Sequence, residues 1–417
     1  MIRIHGRRGA ARFVLTAGLA TAAAVTGFAG SASAGTPAAL PTGTILDAGA
    51  GRAIGDSYIV TFRPGSAAAA RVGAASAALV KRYGGAVVAN YTSAVTGFHA
   101  TMTRTQARRL AANPAVQSVE QDARVTADAL TQEKPTWGLD RIDQEKLPLS
   151  GTYTYRSAAN VTAYVLDTGI RIGSKEFDGR ARNGYDFIDN DKVAQDCNGH
   201  GTHVAGTVGG VKYGVAKDVK LVAVRVLDCK GSGSYSAIIK GVDWVTKNAV
   251  KPAVANMSLG GSTSKTLNDA VKKSIASGVT YAVAAGNDNK DACKQSPASQ
   301  PDAITVAATD STDTRASFSN FGSCVDVFAP GVRITSASSK SDSGTAIMSG
   351  TSMASPHVAG AAALVLGANP SFTPKEVRDA LVTNAAANRV YDRAGSPNKL
   401  LHTGWLNTLT AARKATA

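Results

Sequence analysis

The sequence predicts an α/β protein with three layers, in which a mainly parallel central sheet carries helices on both faces. After residue 135, short runs of β-branched and small apolar residues alternate with helical stretches. Apolar runs of this length, separated by helices, indicate strands buried on both faces of a parallel sheet. The strand candidates span 161–166, 220–226, 253–257, 280–284 and 304–308, and the helix candidates span 203–209, 236–248 and 267–277.

A smaller α+β unit is predicted upstream, over residues 56–128. Strand patterns at 57–62, 87–102 and 116–125 alternate with helix patterns at 67–82 and 105–113. Residues 35–55 are rich in Ala, Gly, Pro and Thr and indicate a linker. The polar stretch 128–134 is typical of an exposed cleavage junction, which we place near Ala129 and Leu130.

The first 34 residues have the pattern of an export signal. An apolar, small-residue stretch over 13–30 is followed by Ala32-Ser33-Ala34, a small-residue pattern that predicts cleavage after Ala34. The alternative is an uncleaved membrane anchor, which the Ala and Gly content disfavours. The preceding basic residues are Arg3, Arg7, Arg8 and Arg12, and the Arg7-Arg8 pair leaves twin-arginine export open. The predicted organisation is therefore 1–34 signal, 35–129 upstream domain and 130–417 main domain.

The chain is basic, with a formal net charge of +15. Such a charge can favour nucleic acid or anionic membranes as partners. Here the Lys and Arg residues are scattered, with no run of five and no interleaved aromatic residues. We interpret the charge as a feature of a soluble surface and expect neither nucleic-acid binding nor membrane binding after export.

Four cysteines, Cys197, Cys229, Cys293 and Cys324, lie in the main domain. An even number in an exported chain favours disulfides, and four cysteines allow three connectivities. A zinc site is the alternative, because Cys197 lies close in sequence to His200 and His203. The absence of a C-x-x-C pair disfavours zinc.

Three segments contain candidate catalytic residues. Asp167 follows an apolar strand pattern and precedes a Gly turn, where sites form in open α/β sheets. His200 lies between Gly199 and Gly201 at the start of a helix pattern, and His203 one turn later is interpreted as structural. Ser352 opens the apolar helix pattern that runs to about Leu366, where Pro356 is expected in the first turn.

Each of these residues also has a structural interpretation: Asp167 as a turn residue, Ser352 as a helix N-cap. Together they have the chemistry of nucleophilic catalysis. A serine hydroxyl needs a base to remove its proton, and a histidine needs a carboxylate to fix its tautomer. A helix N-terminus additionally offers free N–H groups to an oxyanion.

The three segments that contain these residues, in the order Asp, His, Ser, resemble the subtilisin superfamily of serine proteases. They are Val165–Ile170, Asn198–Gly206 and Ser349–Gly360. Further segments are similar to its proteinase K-like branch, especially aqualysin-type members: 137–143, 213–217, 255–261 and 316–320. The resemblance covers about 130–417, and residues 56–128 resemble the family's inhibitory propeptide. The order of the three catalytic residues is the one known for subtilisin.

The resemblance implies roles for further residues. Asn287 would complete the oxyanion hole with the backbone N–H of Ser352. Two segments, Gly231-Ser232-Gly233 and Ser258-Leu259-Gly260, would pair with an extended substrate backbone. Ala284, Ala285 and Gly286 would line an uncharged first pocket, which favours cleavage after apolar or aromatic residues.

The resemblance also implies structural calcium and a disulfide pairing. Three oxygen-rich sets would hold Ca²⁺: Asp326 with the carbonyls of Pro301 and Ala303; Asp186 with Asp191; and Asp140, Asp143 and Gln144. No catalytic cofactor is implied. The family pattern pairs Cys197 with Cys229 and Cys293 with Cys324.

The resulting expectation is a secreted, monomeric serine endopeptidase of broad specificity, made as a zymogen that its own propeptide inhibits. Its substrates would be proteins or peptides, cleaved through an acyl-enzyme on Ser352. Three alternatives are a catalytically silent binding protein on the same fold, a basic nucleic-acid-binding or surface-binding protein, and an esterase. A missing catalytic residue would favour the silent binding protein, and a salt-sensitive DNA shift would favour the nucleic-acid-binding protein. Ester hydrolysis alone would not distinguish an esterase from a protease.

Overall fold

The computed structural model describes residues 41–46, 53–123 and 129–407. The predicted signal over 1–34 and most of the predicted linker lie outside these residues. The described chain forms two compact units, one from residues 41–46 and 54–122 and one from Ala53 together with the described residues after 122. Among the described helices, none combines the length and the apolar character needed to span a bilayer.

The first unit is the predicted α+β unit. Its four-stranded sheet has the order β2-β3-β1-β4, with β3 antiparallel to both β1 and β2. The helix predicted over 67–82 is divided at Arg71, whose φ of −139° is not helical. The elements are β1 (Ala53–Phe62), α1 (Ala67–Ala70), α2 (Val72–Tyr83), β2 (Ala86–Tyr91), β3 (Gly97–Thr101), α3 (Arg104–Ala111) and β4 (Val116–Ala123).

The second unit is built on a nine-stranded sheet of order β18-β19-β15-β14-β12-β10-β7-β9-β8. Its neighbouring strands pair in parallel, except β18 with β19, which are antiparallel. The sheet strands are β7 (Thr162–Asp167), β8 (Ala181–Asp186), β9 (Lys220–Arg225), β10 (Ala253–Met257), β12 (Val279–Ala284), β14 (Ile304–Thr309), β15 (Val327–Pro330), β18 (Ala386–Ala387) and β19 (Lys399–Leu400). The five predicted strands are thus its centre.

Short strands outside this sheet form three antiparallel pairs. They are β5 (Leu130–Glu133) with β6 (Thr152–Tyr155), β11 (Gly261–Ser262) with β13 (Gln295–Ser296), and β16 (Ile334–Ala337) with β17 (Thr345–Met348). The helices are α4 (Trp137–Ile142), α5 (His200–Gly209), α6 (Tyr235–Asn248), α7 (Lys265–Ala276), α8 (Thr351–Ala368), α9 (Pro374–Thr383) and α10 (Gly404–Asn407), with 3₁₀ turns at Lys175–Phe177 and Ala292–Lys294.

Two apolar clusters lie on opposite faces of the sheet. Val204 of α5 and Val358 of α8 pack in one cluster, whereas Ile238 of α6 and Leu267 of α7 pack in the other. Central strands with both faces covered need continuous apolar residues, which is why β7 reads Thr-Ala-Tyr-Val-Leu-Asp and is buried throughout. The predicted three-layer α/β fold is confirmed.

Pro356 lies one turn deeper than predicted. Helix α8 begins at Thr351, so Pro356 is its sixth residue and belongs to the second turn. A proline there has no N–H to donate to the carbonyl four residues earlier. That carbonyl belongs to Ser352.

Candidate active site

Asp167, His200 and Ser352 occupy element ends that meet at one edge of the sheet. Asp167 is the last residue of β7, His200 the first of α5, and Ser352 the second of α8. The carboxyl ends of parallel strands and the amino ends of helices are where open α/β sheets place reactive groups. The fold therefore brings together three residues that are far apart in sequence.

The Asp167 carboxylate fixes the orientation of the His200 ring. Asp167 is fully buried, and its Oδ1 lies 2.7 Å from His200 Nδ1. The same oxygen accepts the backbone N–H of Thr168 at 2.8 Å. Since a carboxylate only accepts, the proton must lie on Nδ1, and neutral His200 has Nε2 free to act as a base.

Two opposing effects act on the pKa of His200. Burial lowers this pKa. The charge and hydrogen bond of Asp167, together with the charge of Asp196, raise it by more than burial lowers it. The net pKa is above the ordinary value of 6.5. An imidazolium formed during proton transfer is therefore stabilised at this position.

Asp196, which the sequence analysis did not single out, holds the start of α5. Its buried carboxylate accepts backbone N–H groups of Asn198, Gly199 and Thr202 at 2.8–3.0 Å. It also accepts the Thr168 hydroxyl at 2.9 Å. Asp196 thus ties the turn before His200 to the residue after Asp167, although in sequence it looks like any polar turn residue.

Glycine is required on both sides of His200 for different reasons. Gly199 has φ of 110°, a left-handed conformation that side chains disfavour. A Cβ on Gly201 would lie 2.1 Å from the Gly169 carbonyl oxygen and 3.2 Å from the Asp167 side chain. The close approach of α5 to the end of β7, and hence of His200 to Asp167, depends on this missing side chain.

His203 has the structural role expected of it. Its ring is buried, and Nε2 donates to the Ile334 carbonyl at 3.0 Å. Burial lowers its pKa to about 4, so the ring is neutral near neutral pH.

Ser352 faces the same cleft as His200. The two line a cavity of about 680 Å³, and the Ser352 Oγ donates to the Ser258 carbonyl at 3.3 Å. The backbone N–H groups at the start of α8 lack helical acceptors and carry the positive end of the helix dipole. A negative charge that develops beside Ser352 is favoured there.

Asn287 is oriented by Thr351. Its Oδ1 accepts both the backbone N–H and the hydroxyl of Thr351, at 2.8 and 2.9 Å. The Nδ2 donor must then point the other way. A Cβ built on Gly350 would lie 3.5 Å from the Ser352 nitrogen and 3.6 Å from Asn287 Nδ2, so the two donors flank one point. The role of Thr351 as the orienting residue carried no sequence signal beyond its place in a Gly-Thr turn.

The two predicted substrate-binding segments line the cleft that holds His200 and Ser352. All six residues of Gly231–Gly233 and Ser258–Gly260 contribute to it. Exposed backbone in such segments can pair with an extended peptide.

An adjoining cavity of about 740 Å³ corresponds to the predicted first pocket. Ala284 and Gly286 line it as expected, with Leu259 beside them. Ala285 does not line it, because this residue is fully buried in a separate apolar cluster. The cavity also has a charged margin that the sequence analysis did not foresee, formed by Asp288, Lys290, Asp291 and Lys294. Gln295 donates to Asp288 at 2.6 Å.

The first predicted calcium set centres on a carboxylate that is already paired. Asp326 Oδ1 accepts the Arg378 guanidinium, and Oδ2 accepts the Thr305 N–H at 2.8 Å. Burial raises the pKa of Asp326, and the Arg378 charge opposes that rise. The Arg378 side chain is about one-third exposed. Asp326 could therefore ligate calcium only after Arg378 had moved away from it.

The second set does not fit a calcium ion as it is arranged. Asp186 is buried, its Oδ2 accepts Arg225 at 2.6 Å, and its Oδ1 accepts two backbone N–H groups. Asp191 Oδ1 accepts the backbone N–H of Val193. Since Arg225 supplies the positive charge, the Asp186 carboxylate has no unbalanced charge to offer a metal.

The third set contains an unsatisfied buried oxygen. Asp143 Oδ1 is buried and has no hydrogen-bond partner among the described residues, while Oδ2 accepts the Thr154 N–H. Asp140 instead accepts N–H groups of Ser150 and Gly151, and Gln144 Oε1 also accepts that of Ser150. The lone oxygen of Asp143 fits a hard cation. Within the described residues, no three His, Cys, Asp or Glu side chains cluster in a way that could hold a metal.

The disulfides have the pairing that the resemblance implied. Cys197 is bonded to Cys229 and Cys293 to Cys324, with Cα–Cα distances of 5.1 and 5.3 Å. Since Cys197 is oxidised, the alternative of a zinc site with His200 and His203 is excluded.

Comparisons with known proteins agree with this geometry. Residues 140–405 match the model of the subtilase family, and residues 57–128 match that of the peptidase inhibitor I9 family. An extracellular serine proteinase of Thermus sp. is 59% identical over 298 residues, which cover 71% of this chain and 72% of that protein. An alkaline serine exoprotease A of Vibrio alginolyticus is 53% identical over 314 residues, 74% of this chain and 58% of that protein. The match thus spans little more than half of the Vibrio relative.

A solved structure has the same fold. It is described as a cold-adapted subtilisin-like serine proteinase, is 55% identical, and superposes with a TM-score of 0.64 over 65% of this chain and 99% of that chain. The resemblance drawn from the sequence is confirmed, and the chain belongs to the subtilase family of serine proteases.

Proposed function

We propose that the chain is a secreted endopeptidase, made as a zymogen, that hydrolyses peptide bonds through an acyl-enzyme on Ser352. The observation that carries this proposal is the 2.7 Å hydrogen bond between the fully buried Asp167 carboxylate and His200, at the cleft that Ser352 also lines. Such an arrangement serves to activate a serine hydroxyl and has no evident structural need.

Each residue has a step in the reaction. His200 Nε2 takes the Ser352 proton as Oγ attacks the substrate carbonyl, and Asp167 stabilises the imidazolium. The oxyanion is bound by the Ser352 N–H and Asn287 Nδ2. His200 then gives its proton to the leaving amine, and a water molecule, activated by the same ring, releases the acyl group from Ser352.

The two cavities support a preference for extended peptides with an apolar residue at the cleavage position. Backbone groups of Gly231–Gly233 and Ser258–Gly260 would pair with the peptide on either side. Ala284, Gly286 and Leu259 give the adjoining cavity an apolar wall. The charged residues at its margin favour tolerance of polar side chains, which suits broad specificity.

Export and self-inhibition are part of the proposal. The Thermus relative is named extracellular, and residues 57–128 match a family of peptidase inhibitors. We propose that residues 1–34 are removed on export, and that residues 35–129 inhibit the enzyme until cleavage near Ala129 and Leu130. The mature enzyme would act as a monomer.

Structural calcium is proposed at two of the predicted sets. The first proposed site consists of Asp143, Asp140 and Gln144, and the unpaired buried oxygen of Asp143 supports it. The second consists of Asp326 and the carbonyls of Pro301 and Ala303, and its oxygen donors support it. Bound calcium would stabilise these loops and take no part in the chemistry. A calcium chelator should lower the thermal unfolding temperature of the protein, and it should lower that of Asp143→Asn by less. An unfolding temperature that the chelator leaves unchanged in the parent protein would contradict calcium binding.

The proposed function is tested by expressing the precursor and its Ser352→Ala variant side by side in a protease-free host. The precursor should lose residues 35–129 and hydrolyse casein, whereas the variant should do neither. A variant that matures and digests casein like the parent would overturn the proposal.

A further inference from the structure

The carbonyl of Ser352 has lost its helical hydrogen-bond donor. In α8 that donor would be the N–H of residue 356, four residues later, and residue 356 is proline. Buried backbone carbonyls are almost always paired, so another group is needed for this one. The carbonyl belongs to the residue proposed as the nucleophile, one peptide unit from the N–H proposed to bind the oxyanion.

A side-chain hydroxyl from a different element takes the place of the missing N–H. Ser258, which follows β10 and is 3% exposed, donates its Oγ to the Ser352 carbonyl at 2.8 Å. In the opposite direction, the Ser352 Oγ donates to the Ser258 carbonyl at 3.3 Å. Two hydrogen bonds therefore join the same two residues.

The Ser258 hydroxyl is itself held by a buried relay. Asn256 Nδ2 donates to Ser258 Oγ at 2.9 Å, and Asn256 Oδ1 accepts the Ser355 hydroxyl at 2.8 Å. Asn256 and Ser355 are 1% or less exposed. These hydrogen bonds connect Ser355 through Asn256 and Ser258 to the Ser352 carbonyl. They therefore link two positions of α8, about one turn apart, through the end of β10.

We propose that Ser258 and Asn256 are positioning residues for the reaction, acting through Ser352. They lock the proline-interrupted start of α8 to the strand end that carries the substrate-binding backbone. The inference rests on the proposed function, because it concerns the placement of the Ser352 Oγ and N–H. Small misplacements of reacting groups cost large factors in rate, so the expected signature is a fall in kcat with little change in KM.

The decisive experiment exploits Pro356. Ser258→Ala should lower kcat for a peptide substrate by about 10- to 100-fold, because the Ser352 carbonyl then has neither donor. Pro356→Ala supplies the backbone N–H again, so the double variant Ser258→Ala/Pro356→Ala should recover at least about tenfold of that loss. A residue that only stabilised the fold would show no such rescue of kcat.

Controls separate the possible outcomes. Ser274→Ala, which removes another fully buried serine hydroxyl bonded to Tyr281 at 2.8 Å, should leave kcat unchanged. The thermal unfolding temperature of each variant shows whether it folds, and labelling of Ser352 by an organophosphonate gives the concentration of active sites. A wild-type kcat in Ser258→Ala, or a double variant no faster than the single one, would overturn the inference. The proposed function is tested separately: if the wild-type protein is active and Ser352→Ala is not, the proposed function holds even when the inference about Ser258 fails.

Discussion

Asn287 and Thr351 are joined by two hydrogen bonds that both end on the amide oxygen of Asn287. The amide nitrogen is therefore the free end of the side chain. Thr351 precedes Ser352 directly, so the residue that orients one proposed oxyanion donor is the neighbour of the residue that supplies the other. The two donors are placed as one unit at the start of α8.

Replacing Asn287 should chiefly affect the chemical step. Asn287→Ala removes one oxyanion donor, which typically costs about 10²–10³ in kcat. Thr351→Val keeps the backbone hydrogen bond but removes the hydroxyl, and should cost less, roughly tenfold. Steady-state kinetics with one peptide substrate would check both. A larger loss for Thr351→Val than for Asn287→Ala would contradict the orienting role.

The pH profile should report His200. Burial lowers the pKa of His200, but Asp167 and Asp196 together raise it by a larger amount, so the net pKa lies above 6.5. The base must be neutral, so activity should fall as the pH drops through that raised pKa. The acidic limb of kcat/KM should have its midpoint above 6.5. A midpoint below 6.5 would show that burial prevails over the two carboxylates.

Two other histidines should make the fold sensitive to acid. Burial lowers the pKa of both His203 and His357 to about 4, against 6.5 for an ordinary histidine. Between these values the unfolded chain binds more protons, so the free energy of unfolding decreases as the pH falls from 6.5 towards 4. Each ring accounts for roughly 3 kcal/mol across that window.

Urea unfolding of the Ser352→Ala protein, which should not digest itself, would measure this effect at several pH values. His357→Gln should make the decrease between pH 6.5 and 4 shallower by about one proton. Parallel curves for the two proteins would contradict a neutral buried His357.

The disulfides should stabilise the protein by similar amounts, because they join residues separated by 32 and 31 positions. Constraining loops of that length in the unfolded chain corresponds to about 4 kcal/mol for each bridge. Cys197→Ser/Cys229→Ser and Cys293→Ser/Cys324→Ser, each in the Ser352→Ala protein, would be compared by urea unfolding. An undiminished free energy of unfolding in either double variant would refute the expectation for that bridge.

The centre of the fold could be predicted because its sequence pattern is local. Strands β7, β10 and β12 are buried on both faces, so they are continuously apolar and recognisable. Edge strand β8, Ala-Arg-Asn-Gly-Tyr-Asp, is partly exposed and has no such pattern. The division of the first helix at Arg71 was not predicted, because alanines dominate both sides and favour helix, although Val72 and Gly73 directly after Arg71 are weaker helix formers.

The proposed catalytic residues could be singled out from the sequence because their chemistry requires particular residue types, and the residues that support them could not. Thr351 and Asn256 act through contacts with residues distant in sequence, such as the 2.8 Å bond between Asn256 and Ser355, and Asp196 joins its own turn to Thr168, 28 positions away. Nothing in their neighbours distinguishes them from turn or strand residues. The ion pairs of Arg225 with Asp186 and of Arg378 with Asp326 also join residues distant in sequence, so the pattern of carboxylates alone did not indicate them. Only for Asp186 does the ion pair argue against calcium.

The central claim is that Ser352 is the nucleophile that His200 activates. Its most direct test is covalent labelling of the mature enzyme with an organophosphonate, followed by peptide mass analysis. We predict one adduct per molecule, on Ser352, formed in proportion to the loss of peptidase activity and strongly slowed in His200→Ala. Full activity in enzyme labelled at Ser352, or inactivation by an adduct on another residue, would contradict the account.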